Sequence, residues 1–177
     1  MPKTEEQPYG ELVKKAQSLF WIQGYKGTSA PDLAECLNVS VSTIYNKYTR
    51  EMLFMDSLLD YTSSYSDPFL QQLRESTEGL AGLKTFFNGL IQALETKTFP
   101  RSCLMVNTVM EMRNENEAVI ELYDKYFQAL HTSYEVVIDK AIASGEIKHP
   151  EKRDAYSKFL LGVIFGITLL FKTAGHE

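Results

Sequence analysis

Residues 24–53, GYKGTSAPDLAECLNVSVSTIYNKYTREML, constrain the possible folds of this chain more than any other segment. Ser29 and Asp32 have the spacing of a capping box, so a short apolar helix begins directly after Ser29. Asn38 then stands in a turn, and Ser40 can cap a second helix. The segment therefore predicts two short helices joined by a tight turn, which is the layout of a helix-turn-helix.

The helix before this segment is predicted from its apolar spacing. Leu12, Ala16 and Phe20 recur at intervals of four residues, which indicates an amphipathic helix from about Tyr9 to Gln23. Gly24 follows, and we expect it to adopt a left-handed cap, since glycine enters that conformation at little cost.

The second short helix is predicted to turn polar and aromatic side chains outward. Ile44 points toward the preceding helix, and the small Ala34 lets the two backbones approach. A recognition helix presents short hydroxyls, an amide, a cation and aromatic hydroxyls in this way. The outer residues are Val41, Ser42, Thr43, Tyr45, Asn46, Lys47 and Tyr48. The alternative is an ordinary two-helix corner, which any helical protein can contain.

In register, residues 9–60 resemble the N-terminal domain of the TetR/AcrR family of bacterial transcriptional repressors. The matching stretches are Ala16–Leu19–Phe20, Gly24–Tyr25, Gly27–Thr28–Ser29, Asp32–Leu33–Ala34, Leu37–Asn38–Val39–Ser40, Thr43–Ile44–Tyr45 and Tyr48. The resemblance implies phosphate contacts by Thr28, Ser29, Tyr45 and Tyr48. It places Val41, Ser42, Thr43, Asn46 and Lys47 at the major groove. Arg50 stands for the family's phosphate-binding lysine, after a turn one residue shorter than usual.

The charge of this part of the chain limits the affinity that we expect for DNA. Up to residue 60 there are six cationic and eight anionic side chains, whereas a strong non-specific DNA binder carries a basic face. Lys26, Lys47 and Arg50 lie near the predicted contact surface. We therefore expect modest, salt-sensitive binding.

The rest of the chain predicts an all-α protein with about nine helices. No segment of the 177 residues shows sustained alternation of apolar and polar residues, so we expect essentially no β-sheet. Residues 1–49 form a three-helix helix-turn-helix domain in this prediction. Residues 50–177 form a helical ligand-binding and dimerisation domain.

Composition favours a cytoplasmic protein that does not enter membranes. The N-terminus lacks the apolar stretch of a signal peptide, and the run Phe159–Phe171 is shorter than the roughly 20 residues that span a bilayer. Cys36 and Cys103 make neither a disulfide framework nor a metal-site spacing. We find no phosphate loop, nucleophile elbow or metal cluster, so no enzyme, cofactor or metal is predicted.

The two C-terminal helices are the predicted homodimer surface. The last helix is apolar nearly all round, so it needs cover on more than one side. Its apolar residues are Phe159, Leu160, Val163, Ile164, Ile167, Leu170 and Phe171. Gly162 and Gly166 would let a second helix approach closely, although packing within one chain is an open alternative. A two-fold dimer suits a palindromic operator.

Bulky, flexible side chains in the middle of the chain could line an apolar cavity. They are Phe86, Phe87, Met105, Met110, Tyr123 and Phe127. From the residues alone, a solid core is the favoured interpretation. The resemblance implies an inducer pocket, and hence a ligand-responsive repressor that a small apolar inducer releases from DNA.

Two alternative functions remain open from the sequence. The stretch from Ser102 to Asn107 is similar to one in a subgroup of the family, some of whose members sense electrophiles or oxidants, which makes Cys103 a candidate sensor thiol. The competing interpretation of Cys103 is a small buried hydrophobe. The other function is that of a helical interaction protein with degenerate DNA binding, which the acidic N-terminal domain and the short turn before Arg50 favour.

Overall fold

The computed structural model describes residues 7–96, 102–112 and 116–174, and these residues form helices and no β-strand. Nine α-helices follow in chain order: α1 Tyr9–Gln23, α2 Ala30–Leu37, α3 Val41–Asn46, α4 Arg50–Tyr61, α5 Asp67–Glu75, α6 Leu80–Glu95, α7 Leu104–Met112, α8 Glu117–Ala143 and α9 Arg153–Ala174. A π-helical turn, Thr62–Ser66, precedes α5, and a 3-10 turn, Pro150–Lys152, precedes α9. The prediction of an all-α fold is confirmed.

The helices divide into two compact units, residues 1–62 and 63–177. The first unit therefore includes α4, whereas the predicted boundary lay after residue 49. The reason is that α4 packs along α1. Phe54 meets the ring of Phe20 edge-on at a centroid distance of 5.0 Å, and the Gln17 amide donates to the Ser57 carbonyl at 2.9 Å.

Helix α1 has the predicted bounds and buries the predicted face. Leu12, Ala16 and Phe20 are at most 2% exposed. Gly24 ends the helix with φ 77° and ψ 171°, and its amide donates to the Phe20 carbonyl at 2.8 Å. The positive φ was expected, but ψ is extended rather than helical, so the cap is not the left-handed helical one. Glycine alone adopts this combination readily.

The second unit is built around α8, whose 27 residues pack against α5, α6, α7 and α9. Val119, Leu130, Tyr134 and Val137 on α8 are at most 1% exposed. Because one long helix supplies so much of the core, the shorter helices around it are positioned mainly by their apolar faces.

Helix α9 leaves large apolar side chains uncovered in the single chain. Phe159 and Leu170 are each 68% exposed, and Leu169 is 43% exposed. By length and composition alone the segment Pro150–Thr173 is long and apolar enough to cross a membrane, which is weak evidence for a membrane helix. The core helix of a soluble protein passes the same test, so this property does not identify a membrane helix.

Candidate functional site

The corner between α2 and α3 is shaped by three local backbone devices. The Ser29 hydroxyl accepts from the Asp32 amide at 3.3 Å, and the Asp32 carboxylate accepts from the Ser29 amide at 2.7 Å. The Ser29 hydroxyl also donates to the Asp32 carboxylate at 2.5 Å, and this bond, together with the one from the Ser29 amide, holds the pKa of the Asp32 carboxyl below its usual value. Asn38 turns the chain in the left-handed conformation, with φ 54° and ψ 48°. The Ser40 hydroxyl accepts from the Thr43 amide at 3.1 Å and starts α3.

One side of α3 faces the interior and the other faces solvent. Ile44 is 1% exposed and packs inward, as the apolar spacing predicted. Tyr45 is 66% exposed and Val41 is 40% exposed. The predicted groove-facing residues that lie at the surface are Val41, Ser42, Asn46 and Lys47, and Thr43 is half-buried. The structure thus brings these residues onto one short helix with an open outer face.

Hydrogen bonds within α3 already order two of its polar side chains. The Asn46 amide donates to the Ser42 carbonyl at 2.9 Å, and the Ser42 and Ser40 hydroxyls lie 2.8 Å apart. Side chains held in this way lose less conformational entropy when they meet a ligand. The arrangement suits contact with a rigid partner such as duplex DNA.

Thr28 does not have the role that the resemblance implied. Its side chain is completely buried, and its hydroxyl donates to the Gly24 carbonyl at 2.7 Å. A buried side chain cannot reach a phosphate, so Thr28 stabilises the loop between α1 and α2. Ser29, by contrast, is exposed beside it.

Arg50 is also engaged inside the first unit. Its guanidinium donates to the Thr28 carbonyl at 3.1 Å and lies 4.2 Å from the centroid of the Tyr25 ring. The start of α4 is therefore tied to the loop between α1 and α2. The sequence predicted only a phosphate contact for Arg50 and not this structural role. The contact with Tyr25 uses one face of the guanidinium.

Two residues that the sequence did not single out support the end of α3. The Tyr9 ring stacks on the Tyr48 ring at a centroid distance of 5.4 Å, and the Lys47 ammonium lies 4.9 Å from the centroid of Tyr48. The Tyr9 hydroxyl donates to the Asp56 carboxylate at 2.5 Å. Burial and this hydrogen bond raise the pKa of the Tyr9 phenol. We call Lys47, Tyr48, Tyr9 and Asp56 the aromatic ladder.

The predicted ligand-binding residues fall into separate groups in the second unit. Phe86 and Phe87 contact each other and Tyr134, whereas Tyr123 and Phe127 pair near Phe165. Met105 is fully buried and fills the core.

Met110 is 64% exposed, so its prediction as the lining of an interior cavity is wrong. It lies on the solvent side of α7.

The described residues of the second unit line two open grooves. The larger has a volume of about 550 Å³ and runs between α5 and α6, with Phe69, Leu73 and Phe86 among its walls. The smaller has a volume of about 340 Å³ and is lined by residues of α6, α8 and α9 and of the segment before α9. Only Phe86 of the predicted ligand set lines either of them.

Cys103 lies in the core directly before α7. It is 7% exposed, and its sulfur lies 3.3 Å from the Tyr126 hydroxyl. Reactive thiols need solvent access, so this environment favours the buried-hydrophobe interpretation. Among the residues that the structure describes, no group of three or more possible metal ligands comes together.

An exposed face on a short helix, held by a capped preceding helix, defines the class of helix-turn-helix DNA-binding regulators. The sequence profile described as Tetracyclin repressor-like, C-terminal domain, matches residues 79–177. The chain belongs to the TetR family of transcriptional regulators.

Individual relatives agree with this family. The HTH-type transcriptional repressor ComR of Escherichia coli is 24% identical over 161 residues, which cover 89% of this chain and 76% of ComR. A cysteine-substituted form of the TetR family regulator CifR, solved with 26-bp operator DNA, superposes with a TM-score of 0.81 at 20% identity, over 98% of this chain and 91% of CifR. The regulatory protein TetR of Rhodobacter sphaeroides superposes with a TM-score of 0.80 at 16% identity, over 94% of this chain and 89% of that protein.

Proposed function

We propose that this regulator is a cytoplasmic repressor that binds a palindromic operator as a homodimer and leaves it when a small apolar inducer binds. The observation that carries the proposal is the outer face of α3, with Tyr45 66% exposed above the buried Ile44. The operator complex of CifR supports the same use of the fold.

Few phosphate contacts support the complex in this proposal. Lys47 is exposed at the C-terminal end of α3, and Ser29, Tyr45 and Tyr48 supply the other predicted phosphate contacts. Each phosphate neutralised by a cation contributes about −0.9 to the slope of log K against log salt. We therefore expect a modest affinity that falls as the salt concentration rises, with a slope set by the number of cations in contact with phosphates.

Helix α9 supports the homodimer. The positions where a side chain would start on Gly162 and Gly166 meet nothing within 4 Å, so both glycines face open space in the single chain. The neighbouring Phe159 and Leu170 are mostly exposed. A second copy of α8 and α9 would cover this surface in a four-helix arrangement with two-fold symmetry. Half-sites would then lie about 34–36 Å apart, or a multiple of that distance.

The inducer is proposed to act through differential affinity. A ligand that binds the DNA-free form more tightly shifts the population away from the operator complex. The grooves of the second unit offer apolar surface for such a molecule, with Phe69 and Phe86 in the larger one.

Fluorescence anisotropy with labelled DNA from around the gene tests operator binding. Tyr45→Ala removes an exposed α3 side chain with a predicted phosphate contact and should weaken operator binding about five- to tenfold, as expected for loss of a hydrogen bond worth about 1–1.4 kcal/mol. Tyr65→Ala, at a tyrosine 37% exposed outside α3, is the matched control and should bind normally. The absence of any sequence-specific complex at low salt would refute the proposal.

Sedimentation tests the homodimer, and a variant of Cys103 tests whether the protein senses electrophiles through its thiol. The wild-type chain should sediment as a dimer at micromolar concentration. Cys103→Ser should bind the operator and respond to electrophiles as the wild type does, because the sulfur is buried. If this variant binds DNA but no longer responds to an electrophile that releases the wild type, thiol sensing replaces the apolar inducer.

A further inference from the structure

Tyr134 on α8 carries a buried polar group without a partner. Its side chain is completely buried, and its hydroxyl has no hydrogen-bond partner in the structure as described. Buried hydroxyls are nearly always hydrogen-bonded, because an unmade bond leaves the cost of desolvation uncompensated. A fold that retains such a group calls for a specific explanation.

Aromatic rings surround Tyr134 on two sides. The Phe86 ring stands perpendicular to it at a centroid distance of 5.8 Å, and the Phe87 ring lies nearly parallel at 6.2 Å. Phe86 also contacts Phe69 at 4.7 Å. The Tyr134 ring therefore belongs to a cluster of aromatic rings.

Phe86 belongs both to this cluster and to the wall of the larger groove, whose described lining does not include Tyr134. Phe69 and Phe86 both line the groove between α5 and α6, which has a volume of about 550 Å³. Gly89 leaves room for the Phe69 ring, which lies 3.8 Å from the position of its missing side chain. A change in the side-chain rotamer of Phe86 would open the groove toward Tyr134.

The charge around the groove selects against anions. Glu75 and Glu78 line it, and none of its described lining residues is cationic. The ammonium of Lys140 is occupied by the carbonyls of Arg74 and Ser76 at the end of α5. A carboxylate ligand would meet like charges at the entrance and an apolar interior behind it.

The chemistry of the phenol specifies what the ligand must offer. Burial raises the pKa of Tyr134, so the group stays protonated at neutral pH and acts as a donor. Its partner must be a neutral acceptor, since no cation in the groove would compensate a buried negative charge.

We propose that the groove binds a neutral aromatic carbonyl compound, whose ring takes the place of the Phe86 ring and whose oxygen accepts a hydrogen bond from Tyr134. The binding site stands on these contacts, and its consequence for DNA rests on the proposed function. The inducer would then be a neutral aromatic carbonyl compound, and Tyr134 would be the residue that selects it.

The test uses acetophenone and isopropylbenzene. The two molecules have similar shapes, but only acetophenone has a carbonyl group. Their affinities for the full-length protein are measured without DNA by NMR titration. Tyr134→Phe should weaken the binding of acetophenone about five- to tenfold, which is the effect of one hydrogen bond. The same substitution should change the affinity for isopropylbenzene less than about twofold. Tyr126→Phe, which removes another buried tyrosine hydroxyl, should leave the affinity for acetophenone unchanged.

Thermal unfolding without ligand checks the premise. Tyr134→Phe should melt at the wild-type temperature or above it, because it removes an unpaired buried hydroxyl. A lower melting temperature would show that the hydroxyl already has a partner, and would overturn the proposal. Equal binding of acetophenone to wild type and Tyr134→Phe, or no binding to either, would overturn it as well.

Operator release is measured separately, by anisotropy with acetophenone present. If acetophenone binds through Tyr134 but the operator complex persists, the site stands and induction by this route fails. If the chain binds no operator at all, the proposed function fails while the ligand titration still decides the site.

Discussion

Removing the hydroxyl of Tyr9 tests whether the aromatic ladder supports DNA binding. Tyr9→Phe keeps the ring that stacks on Tyr48 and deletes only the bond to the Asp56 carboxylate. A hydrogen bond to a charged group contributes about 1.5–3 kcal/mol when buried. Because Tyr9 is 36% exposed, solvent screening reduces this to about 1 kcal/mol.

The loss should appear in both stability and operator affinity. In urea, the free energy of unfolding of Tyr9→Phe should be lower by about 1 kcal/mol. Operator binding should weaken about two- to fivefold, because the aromatic ladder positions Lys47 and Tyr48 less well. A double-mutant cycle with Asp56→Ala isolates the pair, and the coupling energy should equal most of the loss. Zero coupling, or unchanged operator affinity in a destabilised variant, would refute the idea that the ladder positions Lys47 and Tyr48.

Alkaline pH gives an independent measurement of the same bond. The folded pKa of Tyr9 lies above the ordinary value of 10.0, since burial and Asp56 disfavour the phenolate. Its contribution is therefore fully present below about pH 10 and is lost as the pH rises toward the folded pKa. Tyr9→Phe should lose less stability than the wild type above pH 10. Parallel pH profiles would contradict this assignment.

Three further substitutions test other parts of the structure. Thr28→Val should lower the free energy of unfolding in urea by about 1 kcal/mol, while the folded protein binds the operator normally. A loss of operator affinity without this destabilisation would instead favour the predicted phosphate contact of Thr28. Leu170→Glu should shift sedimentation toward monomer, unless α9 lies outside the dimer surface. The pKa of Asp32 is lowered by Ser29, so its stabilisation is lost as the pH falls below about 3.8. Asp32→Asn should remove that acid-dependent step from circular-dichroism melts.

The helix-turn-helix corner could be predicted because its determinants are local. The capping box needs only Ser29 and Asp32, and the start of α3 needs only Ser40 and Thr43. Each pair lies three residues apart, within reach of a single turn of helix. The apolar spacing of α1 is equally local, and its bounds were predicted correctly.

The contacts that the sequence did not reveal join distant residues. Tyr9 and Asp56 are 47 residues apart, and Arg50 and Thr28 are 22 apart. Such contacts depend on how α1 crosses α4 and on the path of the loop before α2, which no periodic pattern encodes. Met110 was misplaced for a related reason. Its residue type suggested a cavity, but the face of α7 on which it lies is decided by packing.

Three of the eight carboxylates up to residue 60 serve hydrogen bonds within the N-terminal domain, which leaves the net charge unchanged but accounts for their positions. Asp32 caps α2, Asp56 accepts from Tyr9, and Asp60 accepts from Gln17 at 2.9 Å, so all three serve internal bonds. Lys47 lies instead on the exposed side of α3. Lys47→Ala should therefore weaken binding to all sequences alike and reduce the salt slope by about one. An unchanged slope would mean that Lys47 makes no phosphate contact in the complex.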